Sequence, residues 1–247
     1  MKNKNEINVY WWPTQKGWNL LYNDPINLQE SLYKMKNKNK NKDSYARSMF
    51  ECPAFSDKTK KTFFFTSPMS VEYEYDFTDP ENSYITPKNP LMPYLETKIL
   101  RPPTMSKKPL FQLSLFWCFF SEESLTASVT PPFLHNSNFT KQGIPPTGSY
   151  DIGQWLRAYP LEIMLWNETG TFKLEKDEPL FYIEFLTDRP IKLQRVESTD
   201  KLDEYTTQCV VAPATIENRI PLITRYETFR KTRMKDIIMK EIKKNII

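Results

Sequence analysis

One histidine, His135 in PPFLHNSN, stands in the whole chain of 247 residues. An imidazole acting as a general base needs an orienting carboxylate and a nucleophile or substrate proton within about 3 Å. Ser137 and Asp151 are near in sequence, but no GxSxG elbow accompanies them. The default expectation for His135 is therefore a hydrogen-bonded structural residue at a turn. A single histidine excludes two-histidine zinc sites and His-rich iron triads, and five glycines leave no glycine-dense phosphate loop. A divalent hard cation has only His135 and Asp151 as weak ligand candidates, so no metal or cofactor is expected. The acidic group Glu72, Glu74 and Asp76 alternates away from an apolar face and reads as a solvated strand surface. Glu122 and Glu123 are adjacent at an expected turn, where neighbouring side chains seldom converge on one substrate.

Polar and aromatic groups mix most densely in GSYDIGQWLRAYPLEIMLW, Gly148 to Trp166. Asp151, Gln154, Arg157 and Glu162 stand there among Tyr150, Trp155, Tyr159 and Trp166, the combination from which binding sites and interface hot spots are built. The candidate binding residues are thus His135, Tyr150, Asp151, Gln154, Trp155 and Arg157. An internal pairing of Arg157 with Asp151 or Glu162 competes with a ligand role. Tyr10, Trp11, Trp12 and Trp18 offer faces for stacking bases or sugars. An N-terminal strand or wedge packed on the core is the stronger expectation for them.

The elements that must hold these residues are mostly strands. In SVEYEYDF, Val71, Tyr73, Tyr75 and Phe77 share one face and the acids the other. PLFQLSLFWCFF puts Phe111, Leu113, Leu115, Trp117 and Phe119 on one side, while the other changes from Gln112 and Ser114 to Phe116 and Phe120. That pattern predicts a strand running from an open sheet into a covered region. Further strands are expected at Lys61 to Thr66, Leu125 to Val129, Thr171 to Glu175, Pro179 to Leu186 and Ile191 to Val196. Short strands with turn signals at this spacing predict a mainly β fold, a single jelly-roll or β-sandwich body over residues 1–247.

Helices are expected at the periphery. Asp24 followed by Pro25 is a helix-start signature, leading into a Lys/Asn tract, residues 36–42, read as an exposed loop. Residues 80–109 hold seven prolines among large apolar side chains, which forbids a central strand and predicts an extended segment crossing the β body. Residues 225–247 place Tyr226, Phe229, Met234, Ile237, Ile238, Ile242 and Ile246 at mostly helical intervals, an amphipathic basic helix that packs on the body or on a second copy.

The formal charge of +4 is uneven: residues 1–42 and 225–247 each carry +5, leaving the body between them at −6. An acidic body repels phosphate, so nucleic-acid contact is conceivable only through the basic ends. No apolar run reaches the roughly 18 residues of a membrane span, and no signal peptide is apparent. Cys52, Cys118 and Cys209 are expected as reduced thiols, with Cys118 a buried small hydrophobe.

The segments YWWPTQKGWNLLYNDP, FECPAF, PPFLH, YDIGQWLR and DEPLFYIEFLTDRPIKLQR resemble a group of uncharacterised tailed-phage proteins, particularly of T4-like marine and cyanobacterial viruses, over about residues 8–207. The resemblance implies a phage-encoded product in the host cytoplasm or associated with the virion, and it transfers no catalytic residue. A second resemblance is to cupin or jelly-roll folds, through the PxG turn at Pro146, Thr147 and Gly148. Asp151 stands where cupins have histidine, and Asn136 and Ser137 follow His135 where HxH is needed, which leaves the cupin metal centre in doubt. The expected function is a non-enzymatic binding or structural module that uses aromatic-rich surfaces to meet a protein partner or its own copies. The alternatives are a cupin-like enzyme with an atypical single-His metal site and nucleic-acid attachment through the basic ends.

Overall fold

The computed structural model describes residues 5–14, 17–38, 52–79, 81–89, 95, 97–100, 110–210 and 222–247. The chain enters through strand β1 (Ile7–Pro13) and β2 (Ile26–Asn27), then helices α1 (Leu28–Lys38) and α2 (Pro53–Lys60). Strands β3 (Thr62–Thr66), β4 (Val71–Asp76), β5 (Tyr84–Pro87), β6 (Thr97–Leu100), β7 (Leu110–Ser121) and β8 (Thr126–Thr130) follow. A short helix α3 (Asn138–Gln142) leads to β9 (Gly143–Ile144), β10 (Gly148–Asp151), β11 (Ala158–Leu165), β12 (Thr169–Leu174), β13 (Pro179–Phe185) and β14 (Ile191–Arg195). Helices α4 (Asp200–Val210), α5 (Leu222–Lys231) and α6 (Met234–Lys244) complete the described chain.

The protein is mainly β, with its strands in three sheets. The first has the order β14-β1-β7-β11-β9, with β6 added beside β7; the second runs β10-β8-β13-β3-β2 and the third β12-β4-β5. β1 lies parallel to β14 and antiparallel to β7, with Trp11 opposite Arg195 on one side and Phe119 on the other. The first two sheets press their inner faces together through rings: Phe65 meets Phe119 at 5.2 Å and stacks on Phe181 at 5.1 Å, while Trp117 meets Phe181 at 5.0 Å. Each such pair adds about 0.5–1.5 kcal/mol to the burial of its area. The third sheet joins the same core, Phe172 meeting Phe111 edge-on at 5.2 Å.

Strand periodicity explains why the outer faces are also covered. In β7 the odd positions from Phe111 to Phe119 enter the inter-sheet core, so Cys118 and Phe120 must face outward. There they pack with Tyr10, Trp12 and Val196 against Leu202 of α4, Phe229 of α5 and Ile238, Met239 and Ile242 of α6. On the far side of the second sheet, Phe64 and Tyr182 pack beneath Leu28 of α1. The expected passage of β7 from open to covered surface is thus the passage under the C-terminal helices.

Several boundaries differ from expectation. Asn27, not Asp24, caps α1, its side-chain oxygen accepting from the Glu30 amide at 3.2 Å. Asp24 instead pairs with Arg195 at 3.3 Å, and Pro25 precedes the two-residue strand β2. The helix extends through Lys38, so the Lys/Asn tract begins as helix; its remainder, residues 39–42, lies outside the described residues. Of the proline-rich segment 80–109, the described parts form β5 at the edge of the third sheet and β6 beside β7, with Leu95 buried in the core. Residues 225–247 form two helices instead of one, broken at Thr232 and Arg233 so that both Phe229 and Ile242 reach the sheet. Ile237 and Ile246 stay exposed, and the Tyr226 side chain lies outside the described residues. Tyr10, Trp11 and Trp12 are buried in β1, which leaves them no free stacking faces. Among the described residues, no helix is long and apolar enough to cross a membrane.

Candidate functional site

Three strands and a turn bring the richest mixture of sequence-predicted groups into one cleft. β11 supplies Tyr159, Pro160 and Glu162, with Arg157 immediately ahead of it. β10 supplies Gly148, Ser149 and Tyr150, β8 supplies Val129, and the turn after β9 supplies Pro146 and Thr147. The cleft, about 180 Å³ in volume, opens where β10, the last strand of the second sheet, comes beside β11 of the first. Pro160 has no amide hydrogen to give the ladder, and the pairing of β11 with β7 shifts register between Pro160 and Leu161.

The cleft's charges are one of each sign. Arg157 and Glu162 are both half-buried, and neither forms an ion pair within the described residues. The expected internal pairing of Arg157 with Asp151 or Glu162 is therefore replaced by a guanidinium lying 5.6 Å over the Trp155 ring. Burial raises the pKa of the Glu162 carboxyl, with the nearby Arg157 charge opposing it. Burial also drives the Tyr159 hydroxyl above the ordinary phenol range, reinforced by Glu162 and opposed by Arg157. Tyr159 closes the floor by packing on Phe181 at 4.9 Å. At the rim the Ser149 hydroxyl lies 3.0 Å from that of Ser128 across the β8–β10 ladder.

Asp151 ends β10 and Gln154 follows it in the turn to β11; neither lines the cleft. The Asp151 carboxylate accepts from the Leu125 amide at 3.1 Å, the Gly153 amide at 2.8 Å and the Ser124 hydroxyl. Gln154 donates to the same Ser124 hydroxyl at 3.0 Å. Gly153 is required at this turn, because a Cβ there would stand 1.8 Å from the Glu123 carbonyl oxygen. Trp155 points away into the layer beneath the C-terminal helices.

His135 has a different set of neighbours. Its Nδ1 lies 2.6 Å from the Tyr182 hydroxyl, and its ring packs 4.9 Å from that of Phe64 on the outer side of the second sheet. Burial lowers its pKa. Ser137 caps α3 by accepting from the Thr140 amide. The acidic pair diverges: Glu122 bridges to Lys243, and Glu123 pairs with Arg189 at 2.6 Å. No three His, Cys, Asp or Glu residues come close enough to hold a metal among the described residues.

The structure thus unites Tyr150 and Arg157 with Glu162 and Tyr159, leaves Asp151, Gln154 and Trp155 outside the cleft lining, and gives His135 separate partners. Val129 and Ser149, which complete the cleft, carried no signal in the sequence beyond lying in or beside expected strands. Comparison with protein-family models finds no matching family, and comparison with curated proteins finds no match.

Proposed function

We propose that this chain is a non-enzymatic binding or structural module on a jelly-roll-like β-sandwich. It is phage-encoded and acts in the host cytoplasm or on the virion. The observation that carries the binding role is the presence of Arg157 and Glu162, two half-buried opposite charges, in one cleft without an ion pair between them. Such groups, convergent in a concavity and one of them pKa-shifted, mark a contact site for a partner or a second copy. The jelly-roll assignment is supported by the winding of β7 to β11, which alternates strand by strand between the two facing sheets; the parallel β1–β14 pair is an addition to that plan. Light scattering on the purified chain tests the role: an assembly that Arg157→Glu dissolves is expected. A monomer that recovers no partner from infected-cell lysate rejects it.

A second reading, polyanion attachment, is favoured by Lys235 and Lys240, which line a hollow of about 470 Å³ together with Asp236 and the Glu122–Lys243 ion pair. It requires DNA or RNA binding that weakens steeply with salt and is lost in a Lys235→Glu/Lys240→Glu variant. Binding that is absent or indifferent to salt eliminates it.

A further inference from the structure

We propose that the cleft between β10 and β11 recognises a single neutral, hydroxyl-bearing ring, a monosaccharide unit, with Arg157 and Glu162 as its two polar anchors. This inference rests on the binding-module reading and names the ligand class.

Charge selects against the simpler ligands. An anion drawn to Arg157 meets the Glu162 carboxylate in the same small space, and a cation drawn to Glu162 meets the guanidinium. A ligand that satisfies both at once carries neighbouring groups that each donate and accept, which is the property of vicinal hydroxyls. The guanidinium only donates. Glu162 accepts when ionised and donates when protonated, and burial brings the protonated form closer to reach; either form serves a hydroxyl. The rim continues the same chemistry with the hydroxyls of Thr147 and Ser149.

Shape agrees with charge. Pro146, Tyr150 and Pro160 give the cleft apolar walls suited to the C–H face of a saturated ring. The volume, about 180 Å³, is below the roughly 300 Å³ at which drug-sized ligand pockets begin, which favours a ligand of one ring. A site this small with an exposed rim binds weakly, with Kd of about 1 mM.

The full chain is titrated with glucose, galactose, mannose and N-acetylglucosamine to about 10 Kd, on the order of 10 mM. NMR signals of the Trp155 indole and the Arg157 guanidinium are followed, because these groups lie 5.6 Å apart. Saturable shifts with at least one sugar are expected, weakened at least about tenfold, or 1.4 kcal/mol, in both Arg157→Met and Glu162→Ala. Circular dichroism and the conservative Glu162→Gln variant separate lost recognition from lost folding. Sodium acetate and methylammonium chloride serve as the singly charged comparators. No saturation by any sugar, undiminished binding in both folded variants, or saturation by a comparator alone overturns the proposal. If sugars fail while Arg157→Glu still dissolves an assembly, only the ligand class falls; if sugars fail and the chain is a monomer that recovers no partner, the binding-module reading falls with it.

Discussion

The Tyr182 hydroxyl and His135 Nδ1 lie 2.6 Å apart, which commits the chain's one imidazole to a buried phenol. The same oxygen accepts from the Leu134 amide at 3.3 Å. Phe64 packs against the His135 ring at 4.9 Å, and burial lowers the imidazole pKa.

The unfolded chain takes up a proton near pH 6.5 that the folded imidazole resists. The contribution of this pair is complete above that pH and is lost as pH falls through it toward the lower folded pKa. Melting temperature measured from about pH 7.5 to 5.5 is expected to fall more steeply in the native chain than in His135→Gln. Parallel profiles would contradict the assignment. Tyr182→Phe, which strands both His135 and the Leu134 amide, is expected to cost about 1–3 kcal/mol.

Glu178 is buried, and its carboxylate accepts from the Phe139 amide at 2.8 Å and the Glu175 amide at 3.0 Å, tying α3 to the end of β12. Glu178→Ala removes both acceptors and is expected to cost about 1.5–3 kcal/mol in urea unfolding. An unchanged midpoint would show the two amides to be satisfied in another way.

Ile242 anchors α6 over Trp12 and Phe120 with no exposed surface. Ile242→Ala is expected to destabilise by about 2–5 kcal/mol, whereas exposed Lys240→Ala should stay within about 0.5 kcal/mol. Equal effects in thermal unfolding would mean that the helix is not held by its apolar stripe.

Glu162 tests the cleft from the side of stability. Its folded pKa is raised by burial, so the native state holds a proton that the unfolded chain releases. Native stability therefore declines as pH rises from about 4.5 through the folded pKa. Glu162→Gln, which fixes the uncharged state, is expected to raise the melting temperature at pH 7 while leaving it nearly unchanged at pH 4. A lower melting temperature at pH 7 would point instead to a favourable charge interaction with Arg157.

Local alternation made β4 and β7 legible, because each face has one environment over most of its length; the change on the outer face of β7, expected at Phe116 and Phe120, comes at Cys118 and Phe120, with Phe116 only half-buried. The two-helix form of the C-terminus was not legible, since Thr232 and Arg233 carry no helix-breaking side chain and the bend follows from where the sheet lies. α4 left a signature that only the fold explains: Thr199 accepts from the Leu202 amide at 3.2 Å as a cap, in a stretch where no apolar run announces a helix. At the cleft, the segment holding Tyr150, Arg157 and Glu162 could be singled out by composition. Its other wall comes from β8 through a ladder that sets Ser149 opposite Ser128, a register no local spacing encodes. The expected pairing of Arg157 is not formed; its guanidinium lies over the Trp155 ring instead.

The place of β1 between β14 and β7 fixes an order of events in time. A chain emerging from the ribosome amino end first delivers Tyr10, Trp11 and Trp12 long before β7 appears and longer still before β14. This aromatic stretch must wait beside the exit tunnel with neither neighbour made, and pairing at such sequence distance is slow. Until β7 arrives, the same stretch is open to the β7 of another nascent chain.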